Sequence, residues 1–441
     1  MKADIQYCLS KKLWDPQTNG NYRDMVRKSA MKASGAVKAP PELKRSLSLP
    51  LLTLYGLGVT IGAGIYVLVG TTAARAGIYA PISFLLAAVV VGFTSFSYSE
   101  LSTRYPVSAG EAEYVSKGLK LRWLSVVIGL MVVASGVVSS AAISIGAAAY
   151  LQGFFPLSLD LLTALVVIAV GMIAAWGIFE SVFIAAILTV IEITGLGLVV
   201  YYGIAYKPDI WTELDTLIPP FDAAVWSGIL SASLLAFFAF VGFEDMANIA
   251  EEVKQPQKNL PRGILLTLGI ATLIYFVVVA VIVLVVPMTD LASSAAPLRL
   301  VLETAGTIPT IIFSVIAVFA TINGVLIQII MASRVIYGLA AQKNLPALFA
   351  YVSPITQTPL VATLAVVCVV LFLAYFLPID QLAEATSTIV LIVFCFVNLS
   401  LLRIKLSKTP TEGDAFIVPI FVPVLGFIFS VLLLLVGLLP I

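Results

Sequence analysis

The stretch GVTIGAGIY, residues 58–66, lies inside an apolar segment and carries three glycines within seven residues. Each glycine weakens a helix by about 1 kcal/mol relative to alanine, so the spacing predicts that the helix unwinds here. Broken backbone at membrane depth is tolerated only where it lines a cavity, and free amides at the start of a half-helix can bind a carboxylate. Close packing of these small residues against a neighbouring helix is the alternative that the spacing leaves open.

A second interruption lies in residues 236–245, AFFAFVGFED, where Gly242 precedes two acids, Glu244 and Asp245, in an apolar segment. The two interruptions fall in the first and sixth apolar segments of the chain. Discontinuous helices at corresponding positions of two halves point to a transporter binding site between inverted repeats. Alternatively, the two acids lie at a cytoplasmic helix end, where they are solvated or paired with the basic loop that follows.

Eleven apolar segments are long enough to cross a bilayer, which takes about 17–25 residues. Charged residues make up 11% of the chain and its mean hydropathy is +1.07, which excludes a soluble fold, where roughly 25% charged residues are usual. The predicted spans are 48–74, 81–103, 121–152, 158–177, 181–206, 224–248, 262–287, 307–340, 359–377, 380–402 and 414–440. The predicted fold class is an all-α polytopic membrane protein, a 5+5 inverted repeat with discontinuous first and sixth helices and an eleventh helix.

Basic residues collect on one side of the predicted spans, and cytoplasmic loops are the ones enriched in lysine and arginine. With alternating spans, Arg104, Lys258 and Arg403 share the side of the basic amino-terminal leader. We therefore expect a multi-pass plasma (inner) membrane protein with a cytoplasmic amino terminus and an extracytoplasmic carboxyl terminus. The predicted divisions are a polar cytoplasmic leader (1–46), a first repeat (47–206), a second repeat (224–402) and the additional eleventh helix (414–441).

Glu192 is an acid deep inside the fifth span. It follows the start of that span by about 11 residues, or about 16 Å at 1.5 Å each, which is near the midplane of a core about 30 Å thick. An acid at this depth costs at least about 2.5 kcal/mol, so we expect it to face the helix bundle and to bind a proton or another partner. A neutral carboxyl with a purely structural role is the alternative.

The composition argues against several further classes of function. The chain has no histidine, and no nucleophile motif rises above background, so we expect neither an enzyme nor a cofactor or metal site. Two of the three cysteines, Cys368 and Cys395, lie in apolar spans, which suggests no disulfide framework. The basic residues lie between spans and not along one face, which argues against nucleic-acid binding.

Ordered motifs run from residue 47 to residue 405. They are GAGIY (62–66), SYSEL (97–101), RYP (104–106), GFE (242–244), EEVKQPQKNLPRGI (251–264), MASRVIY (331–337) and LP (345–346). Together they resemble the amino acid-polyamine-organocation (APC) transporter superfamily, in particular its cationic amino acid transporter-like branch. The resemblance implies a LeuT-like fold of two inverted five-helix repeats and alternating access between inward-open and outward-open states.

The resemblance also implies where a substrate binds. In the family, amides of the first broken helix hold the substrate carboxylate, and backbone carbonyls of both broken helices hold its ammonium. The matching residues are Gly62, Ala63 and Gly64 for the carboxylate, and Thr60, Ile61, Phe238 and Val241 for the ammonium. Phe238 also matches the aromatic gate over the substrate. Helix ends of opposite partial charge suit a zwitterion.

The sequence departs from the family pattern in three places. Glu192 stands where several relatives carry a lysine, so the coupling ion cannot be carried over from them. Glu111 and Glu113 stand where small residues are common, and the resemblance gives them no role. The chain ends after an eleventh span where many relatives have twelve, which leaves the oligomeric state open.

These observations predict a secondary active transporter of α-amino acids, with neutral ones favoured, that works by proton-coupled symport or exchange. Glu192 and Glu244 are the ionisable candidates for coupling. A sodium-coupled carrier is the first alternative, with Ser314 and Thr321 of the eighth span offering oxygens. The sequence also leaves open a carrier of cationic amino acids or polyamines, and a nutrient receptor that does not transport. The expected partners are an amino acid substrate and membrane lipids, and the coupling ion is a proton or sodium.

Overall fold

The computed structural model describes residues 45–152, 154–293, 297–306, 310–408 and 415–438. Apart from its last two residues, the predicted leader lies outside the described residues. The helices are α1 (Leu49–Ala76), α2 (Ala80–Arg104), α3 (Gly110–Leu119), α4 (Arg122–Gln152), α5 (Leu159–Trp176), α6 (Ile178–Tyr206), α7 (Ala223–Phe238), α8 (Asp245–Asn248), α9 (Pro256–Val285), α10 (Met288–Ser293), α11 (Pro297–Ala305), α12 (Thr310–Ala341), α13 (Leu360–Phe376), α14 (Ile379–Leu406) and α15 (Phe421–Leu438). Short 3₁₀ helices cover Gly77–Tyr79, Ile210–Leu217, Ala250–Glu252 and Ala347–Ala350.

The described residues hold eight helices long and apolar enough to cross a membrane, and three shorter apolar helices bring the set to the eleven predicted spans. The chain is therefore an all-α polytopic membrane protein. Helix bounds differ from the prediction where local chemistry sets them. α9, for example, begins at Pro256 and not at 262, because proline has no amide hydrogen to satisfy and its fixed φ suits the first helical turn.

Three helices, α3, α10 and α11, were not expected from the sequence. They are short, and α3 carries two acids and a lysine within ten residues, so none of them reads as an apolar span. α3 follows the second spanning helix of the first predicted half, and α10 and α11 follow the second spanning helix of the other half. The two halves therefore carry non-spanning helices at the same place in their helix order.

Helix packing pairs four of the first five spans with the span five places later. α4 packs on α12, α2 packs on α9, α1 packs on α7 and α5 packs on α13. Two inverted halves related by a twofold axis produce such pairs, so the packing supports the two-repeat hypothesis. The residue bounds of the two repeats remain a prediction.

Both predicted helix interruptions are present. α1 departs from helical geometry at Gly62, where φ is −5° and ψ is −147°. The sixth span consists of α7 and α8, joined by a non-helical turn over residues 239–244. The discontinuous first and sixth helices are thus confirmed, and they face each other because α1 packs directly on α7.

A short backbone pairing, which we call the strap, joins the start of α1 to the segment that follows α8. Leu47 and Val253 form an isolated parallel β-bridge. The amides of Ser46 and Leu47 both donate to the carbonyl of Glu252 at 3.0 Å, and the Lys254 amide donates to the Leu47 carbonyl at 2.9 Å. The strap therefore holds the beginning of the first broken helix against the end of the sixth span.

The strap is in turn anchored to α12. The Arg334 Nε lies 2.9 Å from the Glu252 Oε1, and both side chains are fully buried. An ion pair removed from water in this way is costly to break by removing one partner. Glu252 thus links the strap to α12 through its side chain and to α1 through its backbone.

Candidate functional site

The two helix interruptions touch through glycines. A Cβ on Gly64 would lie 2.7 Å from the Ala239 Cα, and a Cβ on Gly242 would lie 2.7 Å from the Val59 Cγ2. Gly242 also has a φ of 124°, which L-residues rarely adopt. Both glycines are therefore required for the close approach of the two broken segments. Close packing and unwinding, which the sequence left as alternatives, occur together here.

A small cavity lies between the two interruptions. Its lining residues are Val59, Thr60, Gly64, Ser139, Ile143, Phe238, Val241, Gly324 and Gln328. They come from α1, α4, α7 with its following turn, and α12. The cavity wall is mainly apolar, with polar side chains only from Thr60, Ser139 and Gln328 among the lining residues.

The cavity brings together four of the seven predicted substrate residues, namely Thr60, Gly64, Phe238 and Val241. Ile61 is fully buried and does not line the cavity. A Cβ on Gly62 would have no atom within 4 Å, so the backbone faces open space at the break. The side chain of Ala63 lies outside the described residues. The assignment of substrate groups to these residues stays a prediction.

Sequence reasoning missed the cavity residues that come from the remaining helices. Ser139 and Ile143 lie on α4, while Gly324 and Gln328 lie on α12. Within each helix the two residues are four apart, so they lie one turn apart on the same helix face. This spacing is common in every apolar helix, so only the packing of α4 and α12 around the breaks identifies these residues.

Tyr275 of α9 connects the two breaks. Its hydroxyl donates to the Ala239 carbonyl at 2.8 Å and also to the Thr60 carbonyl. Thr60 is one of the residues predicted to hold a substrate ammonium. Tyr275 is fully buried and had no signal in the sequence, because it is one aromatic residue in an apolar span.

Glu192 faces the bundle interior, as predicted, and is fully buried. The Asn323 Nδ2 donates to the Glu192 Oε1 and to the Thr189 Oγ1, at 3.1 Å each. The Tyr66 hydroxyl donates to the backbone carbonyl of Glu192 at 3.0 Å. Among the described atoms, the Glu192 Oε2 and the Asn323 Oδ1 are buried without a hydrogen-bond partner. We call Thr189, Glu192 and Asn323 the α6–α12 cluster.

The α6–α12 cluster lies against the first helix interruption. A Cβ on Gly58 would lie 2.2 Å from the Thr189 Oγ1 and 2.6 Å from the Asn323 Nδ2. Only a residue without a side chain fits at this approach. The cluster is therefore in direct contact with α1, about one turn before Gly62.

Glu244 and Asp245 are buried and are neither solvated nor paired with the basic loop, so that alternative from the sequence is wrong. The Glu244 Oε2 accepts a bond from the Gly242 amide at 2.8 Å, which stabilises the turn after α7. The Asp245 Oδ2 accepts a bond from the Gln328 Nε2 at 2.9 Å. Glu244 is not a lining residue of the cavity, and its role in coupling stays a prediction.

The two acids that departed from the family pattern lie on α3, and they differ in environment. Glu111 is fully buried and its Oε1 accepts a bond from the Asn248 Nδ2 at 3.2 Å. Burial raises the pKa of Glu111 to about 7, although the hydrogen bond from the Asn248 side chain lowers this pKa. Glu113 is partly exposed and pairs with Lys117 at 3.3 Å. Glu111 thus ties α3 to the end of the sixth span.

The two oxygens suggested for sodium lie on α12. The Thr321 hydroxyl donates to carbonyls of its own helix, Ala317 at 2.9 Å and Val318 at 3.0 Å. Ser314 lies in the same helix, but its side chain is outside the described residues. Their role in ion binding stays a prediction.

Comparison with known proteins gives a family match over almost the whole described chain. A family model described as "Amino acid permease" matches residues 47–441. The branched-chain amino acid permease BcaP of Bacillus subtilis (strain 168) is 29% identical over 436 residues, which cover 93% of this chain and 91% of that protein. The methylthioribose transporter of the same organism is 30% identical over 92% of this chain and 90% of its own.

Relatives in plants are similar over part of a longer protein. The cationic amino acid transporter 2 (vacuolar) of Arabidopsis thaliana is 31% identical over 413 residues, which cover 88% of this chain and 64% of that protein. The region that the family model matches, residues 47–441, contains both helix interruptions and the α6–α12 cluster.

Proposed function

Because the chain belongs to the amino acid permease family of the APC superfamily, we propose that it carries neutral α-amino acids across the plasma membrane by proton-coupled symport or exchange. At the coarser level, it is an amino acid transporter and not an enzyme. The cavity between the two broken helices is the observation that carries this proposal. Residues of both breaks line one mainly apolar space there, which suits a zwitterion with an uncharged side chain.

In this proposal the first break binds the substrate carboxylate with the amides of residues 62–64. The carbonyls of Thr60 and Ile61 in the first break, and of Phe238 and Val241 in the sixth span, accept bonds from the ammonium. Phe238 lines the cavity and closes over the bound substrate. Binding orders both breaks together, because Gly64 and Ala239 are already in close contact.

Glu192 is the proposed coupling group. A buried carboxylate without a cationic partner is costly, and none of the ion pairs among the described residues includes Glu192. A proton on the Glu192 Oε2 therefore stabilises the closed packing of α6, α12 and α1. Loss of that proton would loosen the contact between the α6–α12 cluster and Gly58. It would thereby shift the transporter between its inward-open and outward-open states.

Uptake into proteoliposomes tests this function. The native protein and Glu192→Gln are compared for uptake of labelled neutral amino acids with a proton gradient or a sodium gradient imposed separately. We expect uptake to follow the proton gradient, and we expect Glu192→Gln to lose accumulation by at least about 10-fold while it keeps counterflow. Thr194→Val is the control, since Thr194 is an exposed residue of the same helix, bonded only to its own backbone. Uptake that ignores pH, with a variant that behaves like the native protein, would make Glu192 structural.

A sodium-coupled carrier is the second candidate, and one observation favours it. The Glu192 Oε2 and the Asn323 Oδ1 are both buried acceptors without a partner among the described atoms, and hard cations prefer oxygen ligands. A sodium ion at the α6–α12 cluster would satisfy both oxygens at once. Uptake driven by a sodium gradient at constant pH, and abolished in Asn323→Leu, would select this candidate over the proton.

A further inference from the structure

Gln328 is one of the three polar side chains that line the cavity. It projects from α12, one turn beyond Gly324, and it is 5% exposed. Neither end of a substrate's main chain is assigned to α12 in the proposed function. Gln328 therefore remains available to contact the side chain of the substrate.

The orientation of the Gln328 amide is set by Asp245. The Gln328 Nε2 donates to the Asp245 Oδ2 at 2.9 Å, and both side chains are buried. Once the amide nitrogen is held in this way, the Oε1 is the atom that is left for the cavity. That oxygen lies 3.2 Å from where a Cβ of Gly136 on α4 would be, so the absence of a side chain at residue 136 leaves room for it between α12 and α4.

The hydrogen bonding of this amide favours a hydrogen-bond donor on the substrate. Asp245 takes part in none of the ion pairs of the described residues, and the acids Glu244 and Glu111 lie near it. A hydrogen bond from the amide nitrogen to the Asp245 side chain polarises the amide and strengthens its oxygen as an acceptor. An apolar side chain placed against such an oxygen would leave it desolvated and unpaired, which is costly.

We propose that Gln328, held in position by Asp245, selects amino acids whose side chain carries a hydrogen-bond donor, so that threonine is preferred over its isostere valine. This inference rests on the proposed function, since it concerns the same cavity and the same cargo. Gln328 contacts the substrate side chain and is the specificity residue. Asp245 acts through Gln328 and is a positioning residue. A site built around a hydrogen bond rejects an isostere that lacks the donor more strongly than an apolar pocket does.

The test is a counterflow assay in proteoliposomes. Transport of labelled threonine is measured in competition with valine, and transport of labelled valine in competition with threonine. For the native protein we expect a preference for threonine of at least about 10-fold. Gln328→Met, which keeps the length of the side chain and removes the acceptor, should bring the ratio to within about 2-fold of one while valine transport continues. Gln342→Met is the matched control, because Gln342 lies just past the end of the same helix and lines a separate polar cavity.

Asp245 is tested by rescue. Asp245→Leu should lose the preference for threonine, whereas Asp245→Asn should keep it, because an asparagine oxygen accepts the same bond from the Gln328 Nε2. If Gln328→Met does not fold, since it leaves Asp245 unpaired, the double variant Gln328→Met/Asp245→Asn removes the buried acid and gives the same expected ratio near one.

The outcomes separate the two proposals. Transport of neither amino acid by the native protein, with intact folding, would overturn the proposed function. Transport of both with no preference for threonine, or with a preference that Gln328→Met leaves unchanged, would overturn the role of Gln328 and leave the transporter function standing.

Discussion

Glu111 is a buried acid on α3, outside the membrane-spanning helices. Burial is the largest cause that raises its pKa from 4.5 to about 7. The titratable groups that face it are Tyr114 on the same helix and, from other elements, Tyr98, Glu244 and Asp245. None of these is a cation, so the charged form of Glu111 has no ionic partner among them. The neutral form is therefore the one that this packing favours.

The stability of the protein should fall as pH rises from about 4.5 to about 7. In this window the unfolded glutamate has already lost its proton, whereas the folded one still holds it, so folding binds protons. The loss is at most about 3 kcal/mol. Glu111→Gln has no carboxyl that loses a proton, so the variant avoids this loss of stability. We therefore expect it to unfold at a higher temperature than the native protein at pH 8, but not at pH 4.5.

Thermal unfolding in detergent at several pH values measures this effect. Glu113→Gln is the control on the same helix, because Glu113 is partly exposed and paired with Lys117. Unfolding temperatures of Glu111→Gln and native protein that run parallel across the whole pH range would contradict the prediction.

At the scale of elements, the contact between the two breaks is confined by backbone atoms. A Cβ on Gly64 meets the backbone of Ala239 at 2.7 Å, and backbone cannot rotate away as a side chain does. Overpacking of this kind typically costs about 1–3 kcal/mol. We expect Gly64→Ala to reduce uptake by at least about 10-fold, because the two breaks can no longer approach. Gly146→Ala is the matched control, since a Cβ there would have no atom within 4 Å, and uptake equal for the two variants would contradict the prediction.

The elements also show what the sequence can and cannot predict. The glycines at 58–64 and the acid at Glu192 are local anomalies in apolar runs, and both indicated features that the structure contains. Tyr275 and Gln328 are not anomalies, because an aromatic residue or a glutamine in a long span is ordinary until its neighbours are known. The short helix α3 was missed for a related reason. It is too polar and too brief to resemble a span, and tertiary packing stabilises it.

At the scale of the whole molecule, we expect the strap to open when one end of the cavity opens. It joins the start of α1 to the end of the sixth span through backbone bonds at Leu47, and we expect alternating access to separate these two segments in part of each cycle. Bridged residues lie close enough for a disulfide. We therefore expect that oxidation of Leu47→Cys/Val253→Cys, with Cys8, Cys368 and Cys395 replaced by alanine, stops turnover.

Uptake before and after a reducing agent measures this prediction. Turnover should return on reduction, because the strap is then free to open again. Leu47→Cys alone is the control, since a single thiol cannot close the bridge within one molecule. Full turnover by a chain that is shown to be cross-linked would mean that the strap stays closed throughout the transport cycle.

Tyr275 gives the two breaks one hydrogen-bond donor to share. One hydroxyl carries one hydrogen, yet it faces two carbonyl oxygens, one in each broken helix. Two acceptors thus compete for a single donor, and Tyr275 cannot fully satisfy both of them at once. An arriving ammonium brings three hydrogens of its own, which is enough to relieve that competition and let the tyrosine settle on one oxygen. Both carbonyl oxygens would then have a hydrogen-bond donor only while the substrate ammonium is bound. The two broken helices would thus depend on the substrate for a hydrogen bond that the chain itself does not supply.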